Sequence, residues 1–192
     1  MSRKLALTFA AISLGVIAFV VAVAVAAGPY AVQELMREKS PIAWLSTMLL
    51  VGSSAVSLVL FMRSRGGAGF GALSAALAVA AMDERFMFHE RLKHQLLARA
   101  FDYDKAAMGH WGDAPMALVP LVGAGLIWLL RGELRGRLVR GVLAVAFAVG
   151  VVAIGLDIAT EAPVAQAVEE VLEVVAETLF LLALLARVSA GD

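Results

Sequence analysis

Residues able to do chemistry concentrate in two stretches. The first reads Ala81-Met82-Asp83-Glu84-Arg85-Phe86-Met87-Phe88-His89-Glu90. On a continuous helix turning about 100° per residue, Asp83 and Glu90 project nearly together, and His89 flanks them. His94 falls on the same line one turn farther on, whereas Glu84 points towards the side of Arg91. The second stretch holds Glu169, Glu170, Glu173 and Glu177. Their spacing puts all four on one helix face, within about 100°, and Gln166 continues the stripe. Asp157 and Glu161 lie just upstream.

Carboxylates with one to three imidazoles suit Mn, Fe or Zn, whereas sites of oxygen alone suit Ca or Mg. The expected cofactor is therefore a divalent metal ion, Fe, Mn or Zn before Ca or Mg. The expected metal ligands are Asp83, His89, Glu90, Glu170 and Glu173. Glu84 and Glu177 are the candidate catalytic bases, since a carboxylate beside metal-bound water can take its proton. Glu169, Asp157 and His94 would support the ligands or share protons. The recurrent Glu-x-x-His of di-metal helical bundles is absent. The bland alternative is a solvated helix end for the first stretch and a dipole-stabilised helix start for Glu169 and Glu170.

These residues are embedded in an apolar chain. It has 192 residues, of which 61% are hydrophobic and 17% charged, and its mean hydropathy is +0.88. A soluble domain runs about 45–50% apolar and about 25% charged. The composition excludes a disordered chain, a nucleic-acid binder and a typical soluble enzyme. With no cysteine, a disulfide framework, a thiolate metal site and a Cys nucleophile are excluded too.

A spanning helix needs about 20 mostly apolar residues. Spans are expected at about 5–27, 42–62, 70–88, 115–130, 138–158 and 166–188, with a polar helical extension of the third to about 99. Gly28-Pro29, Ser40-Pro41, Arg65-Gly66-Gly67, Arg131-Gly132 and Thr160 to Pro163 punctuate them. Arg3-Lys4 and Ala24-Val25-Ala26-Ala27 resemble the ends of a signal peptide. The apolar stretch between them exceeds the usual 7–15 residues or so, so a retained helix is expected.

Orientation follows the Lys/Arg bias. With the N-terminus inside, Arg3, Lys4, Arg63, Arg65, Arg131, Arg135, Arg137, Arg140 and Arg187 are cytoplasmic. Of the acids, all but Glu133 and Asp192 then fall on the outer side or in the outer halves of spans. A zero net charge thus conceals a dipolar chain. Sorting by positive charge explains acids in loops but not acids within spans, which are costly and rarely face lipid.

At these acids the sequence resembles a family of uncharacterised bacterial multi-pass membrane proteins. That family carries Asp-Glu-x4-His-Glu near the end of a span and Glu-Glu-x2-Glu at the head of a late apolar helix. Here the motifs read Asp83-Glu84…His89-Glu90 and Glu169-Glu170-Val-Leu-Glu173. A Gly-rich helix ending in Glu in the family reads Gly155-Leu-Asp157 here. The resemblance implies that these acids act as one site, and implies no activity. With only three histidines, the chain does not look like ceramidase-type membrane hydrolases or desaturases.

The expectation is one integral membrane domain over 1–192, an all-α six-helix transmembrane bundle with both termini cytoplasmic, in the bacterial inner membrane. Its expected function is metal binding, as a metal-dependent enzyme on a lipid or lipid-linked envelope substrate at the extracytoplasmic side. A proton- or cation-coupled transporter or channel is the alternative. A third reading is an accessory subunit of a larger membrane complex. The expected partners are the bilayer, and either a homo-oligomer or such a complex, with no nucleic acid.

Overall fold

The computed structural model describes residues 2–35, 40–63, 68–88, 91, 118–160 and 162–190. Among the described residues the chain is all-helical. Helix α1 spans Arg3–Ala27 and continues through a 3-10 turn, Gly28–Tyr30, into α2, Ala31–Leu35. Then come α3 (Pro41–Arg63), α4 (Ala68–Phe86), α5 (Leu118–Leu130), α6 (Arg137–Ala159) and α7 (Pro163–Ser189). Three segments are long and apolar enough to cross a membrane: Arg3–Leu35, Pro41–Arg63 and Arg137–Ala159. Leu118–Leu130 is apolar but shorter. Helices α4 and α7 have 19 and 27 residues and carry Asp83, Glu84, Glu169, Glu170, Glu173 and Glu177.

Local chemistry sets the helix ends. Ser2 accepts the Leu5 N–H and caps α1. The buried Ser40 Oγ accepts from both Ile42 N and Ala43 N, each at 3.1 Å. Pro41 fills the first helical position, where its missing N–H has no intrahelical partner to lose. Pro163 plays the same part in α7.

The third helix departs from expectation. Helix α4 stops at Phe86, and Met87 has φ of +54°. Such a backbone is uncommon for a side chain with a Cβ, and it breaks the regular turn. The Met87 N–H still bonds to the Asp83 carbonyl at 2.6 Å, but the 100° projection that aligned Asp83 with Glu90 does not carry past this residue. The extension expected to about 99 falls largely outside the described residues.

Helix α7 is the centre of the bundle. It packs against α6 and α3, and more lightly against α1 and α2, while α3 packs against α4. Helices α3 and α7 run in the same direction: Ser46 meets Glu177, and Gly52 faces Leu181. Helices α4 and α6 run the opposite way, with Gly71 against Phe61 of α3 and Gly150 against Ala176 of α7. The bundle therefore has an acidic end, where α3 and α7 begin, and a basic end, where they finish. The larger core cluster, including Leu60, Phe70, Leu130, Leu143 and Leu184, sits towards the basic end. A smaller one, Ile42, Leu49 and Val174, sits towards the acidic end.

Small residues let the helices approach closely. A Cβ on Gly69 would lie 2.7 Å from Leu130 Cδ2. Ser54 and Ser74 make a reciprocal clamp between α3 and α4, each hydroxyl donating to the other's carbonyl at 2.9 Å. Interhelical hydrogen bonds in membrane proteins average about 0.6 kcal/mol each. The double variant Ser54→Ala/Ser74→Ala should therefore lose about 1 kcal/mol of unfolding free energy. Denaturant titration in detergent micelles, followed by circular dichroism, measures that loss.

Candidate functional site

Helix α7 positions the acids because its stripe repeats every four residues. Glu169, Glu173 and Glu177 stack along one face, over about 12 Å of helix rise. Val174 and Thr178, beside this stripe, are buried. The face turns towards α3 rather than away from the bundle.

Glu177 makes the best-defined contact. Ser46 Oγ of α3 donates to Glu177 Oε1 at 2.8 Å. Glu177 Oε2 is buried and has no hydrogen-bond partner. Two more hydroxyls lie on the same face of α3, seven and eleven residues beyond Ser46. These are Ser53 and Ser57, 1% and 0% exposed, and neither Oγ has a hydrogen-bond partner. Buried polar atoms normally find a partner in protein or ordered water, so three orphans along one helix pair are a feature to explain.

Other helices add charge to the same region. Glu84, near the end of α4, is an electrostatic neighbour of Glu169, Glu173 and Glu177. Asp157, near the end of α6, does the same to Glu169. Glu170 adds to the field at Glu173 and Glu177. Arg85 is the nearest cation in sequence, but its guanidinium stacks 4.7 Å above the Trp44 ring. Four segments of the chain, on α3, α4, α6 and α7, thus contribute to one polar region at the acidic end.

Of the acids expected on α4, Glu84 is an electrostatic neighbour of Glu169, Glu173 and Glu177. Asp83 is half-buried and takes part in an interaction of its own. His89, Glu90 and His94 lie outside the described residues. Among the described residues, no group of three or more His, Asp and Glu side chains is arranged to hold a metal ion. Of the expected ligands Asp83, Glu170 and Glu173, no two are joined by a third into a coordinating set.

Sequence reasoning missed Ser46, Ser53 and Ser57. Their spacing of seven and four on an apolar span was the available signal, since it places all three on one face.

Among the described residues this is an all-helical protein with three segments long and apolar enough to cross a membrane, and with a stripe of glutamates along α7. The chain belongs to the family described as a domain of unknown function, DUF8692, whose model matches residues 5–188. No curated protein matches it, and no solved structure does.

The Ser46 bond has a measurable consequence. Removing one partner of a buried hydrogen bond costs about 1–3 kcal/mol. Ser46→Ala should therefore destabilise the protein in that range. The same change in a Glu177→Leu background should cost far less, and a double-mutant cycle of unfolding free energies checks the difference.

Proposed function

We propose that this protein is a six-span membrane protein with both termini in the cytoplasm, and that its acidic seam carries protons or small cations from the extracytoplasmic side into the bundle. The carrying observation is Glu177. It sits fourteen residues beyond Pro163, with one oxygen held by Ser46 and the other buried without a partner. Such an oxygen is a place for a mobile proton, water or cation. Glu169 and Glu173 form the approach to it, and Glu84 and Asp157 enlarge the acidic mouth. Carboxylates at this spacing share protons and titrate as a set. Ser53 and Ser57 extend the line of polar atoms past Glu177 towards the basic end, where an apolar core would otherwise close the way.

Several features support the membrane reading. Three segments have the required length and apolarity. Trp44 with Arg85 near the acidic end, and Trp128 with Arg131 at 3.8 Å near the basic end, fit the aromatic and cationic belts of a bilayer interface. The arginines of the 131–140 region favour placing the basic end in the cytoplasm. A bacterial inner membrane is the setting that this topology fits.

The metal-dependent enzyme reading requires His89 or Glu90 to complete a ligand set. One experiment separates it from transport. Purified protein is reconstituted in vesicles, an acid-inside gradient is imposed, and pH decay is followed with a trapped dye; metal content is measured on the same preparation. The expected result is a proton or cation flux above protein-free vesicles that falls at least about tenfold in Glu177→Gln, since loss of an obligatory carrier corresponds to 1.4 kcal/mol or more. Absence of flux, together with near-stoichiometric metal that Glu170→Ala/Glu173→Ala removes, would overturn the transport reading in favour of the metal enzyme.

Topology has its own check, made clean by the absence of cysteine. A membrane-impermeant thiol reagent added to intact cells should label Ala162→Cys and spare Gly132→Cys. Lysis should expose the latter.

A further inference from the structure

The structure shows a second feature at the opposite end of the bundle. An open groove of about 340 Å³ runs along α6, lined by Arg137, Leu138, Gly141, Val142 and Val145, with Leu179 of α7 as its far wall. Apart from Arg137 the lining is apolar. A Cβ on Gly141 would meet nothing within 4 Å, so the floor of the groove is open there. The cationic end carries Arg135, Arg137 and Arg140, all exposed. The first turn of α6 starts from Gly136, which offers no side-chain cap to its N–H groups.

From these features we infer that the groove is a binding site for one anionic phospholipid, with an acyl chain against Gly141, Val142, Val145 and Leu179 and the phosphate at Arg137 and Arg140. The occupant follows from shape and charge together. From Arg137 to Val145 the helix rises about 12 Å, close to the 15 Å or so of one hydrocarbon leaflet. A lipid lying along α6 therefore brings its headgroup to the arginines without leaving the leaflet. An anionic headgroup gains about fivefold in binding for each Lys or Arg near the surface, whereas a zwitterionic one gains little. The uncapped N–H groups at the start of α6 add donors of the kind that receive phosphate oxygens. This site rests on the membrane reading but stands on different residues from the acidic seam, so the fate of the transport reading leaves it unaffected.

The test is native mass spectrometry of delipidated protein offered equal amounts of phosphatidylglycerol and phosphatidylcholine. Wild type should retain the anionic lipid in preference by fivefold or more. Arg137→Gln/Arg140→Gln should bring the ratio to about one. Gly141→Leu, which fills the groove, should lower retention of both lipids with helicity unchanged by circular dichroism. A wild-type ratio of one, or a preference that persists in the double arginine variant, would overturn the proposal. So would a Gly141→Leu protein that keeps its lipid but changes from dimer to monomer, since the groove would then seat a second copy of the chain.

Discussion

The hydrogen bond from Ser46 to Glu177 joins α3 and α7 through a buried hydroxyl and a carboxylate whose second oxygen is also buried. A carboxyl group buried in apolar helix must be met by donors, protons or cations, because the cost of leaving it unmet is several kcal/mol. Much of the acidic end follows from that requirement. Ser46 has to sit on the α7-facing side of α3, which fixes the rotation of α3 about its axis. The same rotation turns Ser53 and Ser57 inward and presents Ser54 on another side, where Ser74 of α4 receives it. The position of α4 then brings Glu84 towards the α7 stripe.

Two polar devices therefore do different work on one helix. The Ser54–Ser74 clamp is fully satisfied and binds α3 to α4. The Ser46–Glu177 pair is half satisfied, because Glu177 Oε2 is buried with no hydrogen-bond partner. Satisfied polar groups between apolar helices stabilise packing, whereas an unpaired one in the same low-dielectric surroundings is costly. The apolar cluster around Leu60, Phe70, Leu130 and Leu184 supplies the larger part of the packing.

Apolar runs and proline positions made the helices readable in the sequence. Ser40-Pro41 and Pro163 mark helix starts, and both appear as such. The break at Met87 was not readable, because a positive φ at methionine has no composition signal; glycine or asparagine would have announced it. The α7 stripe was readable from its spacing alone. Its neighbours were harder to see. Choosing between Asp83 and Glu84 as the acid that reaches α7 depends on how α3 intervenes between α4 and α7, and a one-dimensional pattern carries no such distance. Ser46 was overlooked because one serine on an apolar span is unremarkable until the glutamate opposite it is placed.

Helix α1 presents the opposite case to α7. It has no buried residue, and only a thin line of side chains, Leu5, Phe9, Val16, Val20 and Val23, rests on the two core clusters. Leu7, Leu14, Ile17, Val21 and Val25 are exposed. Selection on such a helix acts on apolarity more than on shape. Leucine, isoleucine, valine and phenylalanine are interchangeable over most of its surface, while α7 must keep each glutamate and each small neighbour in register. Within one chain, a substitution on the first helix thus disturbs few packed contacts, whereas one on the buried side of the last reaches the core.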